Sequence, residues 1–147
     1  MIFNLATWNI NSIRLRVDLV CKLLKDEQID ILCLQECKSP VDKIPFEAFS
    51  KFGFKHMVAR GQKGYNGVAI ISKSPLKEKS AIDFAGLGHA RHISAELENG
   101  IIIHNFYVPA GGDEPDRSKN EKFDQKLNYL KEMKEYFHEI TPKTSIL

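Results

Sequence analysis

The residues best equipped for chemistry lie in Gln35-Glu36-Cys37-Lys38, which cuts off the apolar run Ile31–Leu34 shortly before Pro40. A carboxylate, an amide and an ammonium at the C-terminal end of a buried strand stand where open α/β sheets bind ligands. Strands also end in solvated loop residues for no chemical reason, so the reading depends on what else reaches the same edge. Asn9 and Asn11 follow the alternating stretch Ile2–Trp8 and are amides able to orient a ligand. The same two residues, with Ser12, are also good helix caps, so both readings stand at this point.

What must position these side chains is a strand–helix–strand unit. Ile2–Trp8 alternates with a period of two, as a strand does. From Ile13 the apolar positions Ile13, Val17, Val20 and Leu24 form a helical stripe, and Ile29–Leu34 is a strand buried on both faces. Short joints make this a right-handed crossover with parallel strands. Connectivity alone then brings Asn9 and Asn11 to the same sheet edge as Glu36 and Lys38.

Further along, a helical turn is expected around Phe46–Phe49. Phe54–Ala59 and Gly67–Ser72 form an antiparallel pair whose tip carries Arg60, Lys63 and Tyr65. A short strand is expected at Ser80–Phe84 and a loop at Ala85–His92. Ile93–Leu97 and Ile101–Val108 flank an Asn-Gly turn, a strong hairpin signal. A long amphipathic helix should run from about Pro115 to His138 with Phe123, Leu127, Leu130, Met133 and Phe137 on one face, and Thr144–Leu147 begins another buried strand.

At 147 residues, 43% hydrophobic and 27% charged, the chain has the make-up of one globular domain. No apolar stretch is long enough to span a bilayer, and no leader-type segment opens the sequence. A net charge of +2 does not by itself argue for a polyanion partner. Three unpaired cysteines favour a reducing, cytoplasmic setting. Cys21 and Cys33 fall on apolar faces, while Cys37, beside the polar edge, is the candidate reactive thiol but has no positioned base. His89 and His92 flank Arg91 without metal-ligand spacing and read as loop histidines; His56, His104 and His138 carry no signal.

Four stretches together resemble the exonuclease III and apurinic/apyrimidinic endonuclease family, within the endonuclease/exonuclease/phosphatase superfamily. They are Thr7-Trp8-Asn9-Ile10-Asn11-Ser12-Ile13-Arg14, Ile31–Lys38 with Leu-Gln-Glu-Cys-Lys, Gly61–Ser72 with Gly-Tyr-Asn-Gly-Val, and Phe106-Tyr107-Val108-Pro109. They occur in the family's order and cover nearly the whole chain.

The resemblance implies an α/β fold, half of a four-layer sandwich of two packed mixed sheets flanked by helices. It implies Mg²⁺-dependent hydrolysis of DNA phosphodiesters, at abasic sites and from 3′ ends of the duplex, with Mn²⁺ as a substitute ion. By the same resemblance Glu36 and Asn9 are metal ligands, and Tyr107 aims its hydroxyl at the scissile phosphate with Asn9 beside it. Arg14, Lys38, Lys63, Tyr65, Asn66 and Arg91 match positions that in relatives line the DNA groove. Cys37 stands where relatives usually carry Thr, and Ala110 where they often carry an amide.

In the family, a strand like Thr144–Leu147 runs into Gly-Asp-x-Asn, and an Asp-His pair comes later. Residues 1–147 contain neither. The expectation is therefore the N-terminal part of one such domain, weakly active or inactive alone, whose open core is covered by a C-terminal half or by self-association. A non-catalytic DNA-binding or assembly fragment is the alternative, and a phospholipid, inositol phosphate or RNA substrate a second. A flavodoxin-like cofactor binder is excluded, because no glycine-rich phosphate loop follows the first strand.

Overall fold

The computed structural model describes residues 2–140. β1 (Leu5–Asn9), β2 (Ile31–Gln35), β4 (Val68–Ser72) and β3 (His56–Arg60) form one sheet in that spatial order. β1 and β2 are parallel with Asn9 opposite Gln35, as the crossover through α1 (Val17–Asp26) demands. β4 is antiparallel to both its neighbours, which makes this sheet mixed. The second sheet, β5 (Leu76–Ser80), β6 (His92–Leu97) and β7 (Ile102–Phe106), is antiparallel throughout.

Side-chain alternation sorts the core into layers. Ile31 and Cys33 of β2, with Val58, Val68 and Ile70, pack against Ile93, Ala95, Leu97 and Ile103 of the second sheet. Leu32 and Leu34 point the other way, onto Val20 and Leu24 of α1 and onto Phe49 and Phe54 beside the short helix α2 (Glu47–Ser50). The outer face of the second sheet is covered by α3 (Glu121–Ile140), whose Tyr129 is 1% exposed. An aromatic layer of Phe84, His92, His104, Phe106, Tyr136 and Phe137 fills that seam. Helices, sheet, sheet and helix make four layers.

Four elements differ from the sequence reading. α1 begins at Val17 rather than Ile13, because Ile13 is buried and its N–H is bonded to Cys37 O at 3.1 Å. The short strand lies at Leu76–Ser80, not Ser80–Phe84; Leu-Lys-Glu-Lys-Ser is a charged edge strand, so no apolar alternation announces it. His92 is not a loop residue but opens β6, fully buried. α3 starts at Glu121 because Asn120 caps it, Oδ1 accepting from Lys122 N at 3.0 Å, while Asp116 and Ser118 close a turn before it. Its most buried residue is Tyr129, off the expected stripe, whose members are only half-buried. Thr144–Leu147 lies outside the described residues.

Among the described residues, β1 and β7 are edge strands of their sheets and open on the same side. Between them is a cavity of about 690 Å³ lined by Leu5, Thr7, Cys33, Gln35, Ile103 and Asn105. Leu5 is 41% exposed and Ile2, just ahead of it, 98%.

Candidate functional site

The parallel pairing of β1 and β2 delivers Asn9 and Glu36 to one rim. Oε1 of Glu36 accepts hydrogen bonds from Asn9 Nδ2 at 2.9 Å and from the Tyr107 hydroxyl at 2.7 Å. Oε2 faces the Lys38 ammonium at 3.3 Å, and that ammonium also donates to Asn11 Oδ1 at 2.6 Å. The Asn9 amide first, then the Tyr107 hydroxyl and Lys38, hold the Glu36 carboxyl below its usual range against the opposing effect of burial. Burial, and then the neighbouring carboxylate, push the Tyr107 phenol up.

The cap reading of Asn9 and Asn11 does not survive. The N-cap of α1 is Arg16, with no side-chain capping bond, and both amides are spent on Glu36 and Lys38 instead. Arg16 Nη1 donates to Asn11 O and fixes that loop.

The backbone here is unusual in a consistent way. Asn11, Ser12, Glu36, Lys38 and Asn66 all have positive φ, between 45° and 84°. Such conformations cost free energy for non-glycine residues and persist when surrounding bonds overdetermine them. Those bonds are present: Ser12 N to Glu36 O at 2.8 Å, Cys37 N to Gly67 O at 3.0 Å, and Lys38 N to Asn66 O at 2.8 Å. Gly67 (φ 91°) is required where it stands, since a Cβ there would lie 3.3 Å from Cys37 Cβ and from Lys38 N.

Arg91 belongs to the cluster through Tyr107. Its guanidinium lies 4.5 Å over the tyrosine ring, its Nη1 donates to Tyr107 O at 3.2 Å, and its own carbonyl accepts from Tyr107 N at 2.7 Å. The buried Tyr129 hydroxyl donates to the same carbonyl at 3.2 Å, so α3 braces the site from behind.

The remaining expected residues sit further out. Tyr65 is exposed, edge-on to His89, and Lys63 is exposed beside it. Asn66 is 5% exposed, its Nδ2 bonded to Gln62 Oε1 at 2.9 Å, so it organises the turn from inside. Arg60 leaves the hairpin tip and donates to Ile82 O at 3.1 Å. Arg14 is exposed in the turn before α1 and is not hydrogen-bonded to this cluster. Cys37 is 1% exposed and its thiol is pushed up to about 12 by burial, which makes it a packing residue rather than a nucleophile.

A link that sequence reading missed is Asn105, 2% exposed on the inner face of β7. Its Nδ2 donates to Leu34 O and Ala69 O, each at 2.9 Å, and its Oδ1 accepts from Gln35 Nε2 at 2.7 Å. The available signal was an amide at a position that period-two alternation points inward, two residues before Tyr107. Tyr129 gave no comparable signal.

Among the described residues, no group of three or more His, Cys, Asp or Glu side chains is placed to hold a metal ion. The donor set instead suits an ion that asks little of the protein. Glu36 supplies an ionised carboxylate, and Asn9, its Nδ2 committed, has Oδ1 as a second hard oxygen.

A carboxylate held by an amide, a phenol and an ammonium thus stands at the rim of a two-sheet α/β sandwich. The model of the Endonuclease/Exonuclease/phosphatase family matches residues 6–137, and the chain belongs to that family. It is 28% identical over 144 residues to the exodeoxyribonuclease III of Haemophilus influenzae, covering 95% of this chain and 52% of that protein. Among solved structures, an AP endonuclease from Archaeoglobus fulgidus superposes with a TM-score of 0.83 at 36% identity, over 94% of this chain and 52% of that one. The 3′ phosphatase NExo from Neisseria, bound to a product DNA hairpin, gives 0.83 at 33% identity, over 97% and 54%. The chain thus spans about half the length of these relatives.

Proposed function

We propose that this chain carries the metal- and phosphate-binding part of a Mg²⁺-dependent DNA-repair phosphodiesterase, acting at abasic sites and on 3′ ends. The observation that carries the reading is the convergence of Asn9 Nδ2 and the Tyr107 hydroxyl on Glu36 Oε1. Glu36 and Asn9 would hold the ion, with Mn²⁺ as a substitute. Held there, the ion would supply positive charge to the phosphoryl and leaving oxygens of a phosphodiester.

The protein's own groups do the positioning. The Tyr107 hydroxyl, beneath the Arg91 guanidinium, gives its one proton to Glu36 Oε1; turned to a substrate phosphate, the same proton would meet charge that builds on the phosphoryl oxygens. Arg91, Lys38, Lys63 and Arg14 pair with backbone phosphates, and the exposed Tyr65 offers a stacking or hydrogen-bonding face. Asn66 serves the groove indirectly, by holding the turn that presents Lys63 and Tyr65.

No carboxylate or histidine of residues 2–140 joins Glu36 as a base for the attacking water. A positioned base contributes about 10²–10⁴-fold. We therefore propose that this chain alone turns over weakly or not at all. The open side between β1 and β7 would be covered in the working protein by further polypeptide, either a C-terminal half or a second copy.

A single-turnover assay on a duplex with one abasic site, with and without Mg²⁺, tests the reading. Residual cleavage should need Mg²⁺ and vanish in Glu36→Gln. Robust cleavage without the ion would overturn it. Metal-independent DNA binding without cleavage, even with the C-terminal half of a relative added, would select the non-catalytic fragment.

A further inference from the structure

Glu36 already has a cation. The Lys38 ammonium stands 3.3 Å from Oε2, the carboxylate oxygen that neither Asn9 nor Tyr107 uses, and both side chains are largely shielded, 31% and 21% exposed. Lys38 is not a loose surface lysine that happens to fall there. Its φ is 50°, its N–H is bonded to Asn66 O at 2.8 Å, and its ammonium is anchored to Asn11 Oδ1 at 2.6 Å. Backbone and anchor together hold a positive charge on the carboxylate.

Resting on the metal reading above, we infer that Lys38 is a resident counter-ion for Glu36, which a divalent cation displaces on binding, so that Lys38 sets the metal affinity of the site. Two cations cannot share one partly desolvated carboxylate oxygen without strong repulsion. The ammonium has somewhere to go. Asn11 Oδ1, at 2.6 Å, remains as an acceptor when the ammonium leaves Oε2, and the lysine stem is flexible. Lys38 is thus a positioning residue. It holds the carboxylate in place while no metal is bound, and weakens metal binding by the work of removing it. The released ammonium then faces the groove, where a substrate phosphate is its natural partner.

The experiment is direct Mn²⁺ titration of the full chain, reading free Mn²⁺ by electron paramagnetic resonance, for wild type, Lys38→Met, Lys38→Gln, Lys38→Arg and Glu36→Gln. Circular dichroism of each variant checks that it is folded. The neutral variants should bind Mn²⁺ about threefold to tenfold more tightly than wild type, while Lys38→Arg stays close to it. Lys38→Gln repeats the test with a donor to Asn11 retained, should Lys38→Met fold poorly. Unchanged or weaker binding in the neutral variants, with Glu36→Gln abolishing it, would overturn the role of Lys38 and leave the metal reading intact. Mn²⁺ bound equally well by Glu36→Gln, or by none of the proteins, would overturn the metal reading and this inference with it.

Discussion

The Tyr107 hydroxyl donates to Glu36 Oε1 at 2.7 Å, joining the first sheet to the end of β7 across 71 residues of chain. That one bond closes the rim: it ties the two sheets together at the site and adds to the lowering of Glu36 by Asn9 and to the raising of Tyr107 by burial. Tyr107→Phe removes it while keeping the ring under Arg91. The Glu36 carboxyl should then titrate closer to the ordinary range, seen by ¹³C-detected side-chain NMR, and residual phosphodiester cleavage should fall by about 10²-fold or more. An unaltered Glu36 titration would mean the bond does not form in solution.

Asn105 should matter more for stability than any residue at the rim. Asn105→Ala strips partners from two buried carbonyls and from Gln35 at once. The expected cost is about 2–4 kcal/mol, read as a lower urea midpoint with little change in slope. Loss of less than about 0.5 kcal/mol would show that water replaces the amide.

Acid should loosen the seam under α3 before it affects the rim. Ile82 N–H donates to His92 Nδ1, so His92 carries its proton on Nε2 and donates to His104 Nδ1 at 3.1 Å. His104 is left with its own proton on Nε2, buried without a hydrogen-bond partner. Neither ring has room to charge. Burial first, then His104 and Arg60, lower His92 to about 3, and burial lowers His104 to about 4. The unfolded chain therefore binds more protons than the native one below about pH 6.5. Stability is fully present above that pH and falls as pH drops toward 4 and then 3. The fall is on the order of 1.4 kcal/mol per histidine for each pH unit. Glu36, also depressed, adds a loss in the same direction as pH falls from the ordinary carboxylate range through its lower folded pKa. Urea midpoints between pH 7.5 and 4.5 check this, and a flat profile would show the two rings to be wet.

The open side predicts association. Two strand edges unpaired among the described residues flank an apolar cavity, with Leu5 and Ile2 exposed beside it, and invite edge-to-edge pairing. Sedimentation velocity of this chain alone should show concentration-dependent self-association. Placing a charge on the inner face, Leu5→Lys, should suppress it. A monomer at every concentration would count against the proposed cover for this side.

The layered α/β plan and the site's first members were legible in the sequence because each rests on local order. Alternation in Ile2–Trp8, an apolar run at Ile31–Leu34 and a helical stripe between them call for a parallel pair, and that pair delivers Asn9 and Glu36 to one rim. The four motif stretches carried the rest of the family assignment, which the match over residues 6–137 bears out. Local pattern could not show what each polar side chain is paired with. Whether Asn9 caps a helix or holds a carboxylate depends on Glu36, 27 residues away, and on a backbone turned to positive φ by bonds from other loops. Whether His92 is a loop residue or a buried one depends on α3 closing over β6 and β7. Hydrophobic periodicity is written residue by residue along the chain, but hydrogen-bond partnership is a property of pairs that only packing brings within reach, and so the tertiary structure alone decided it.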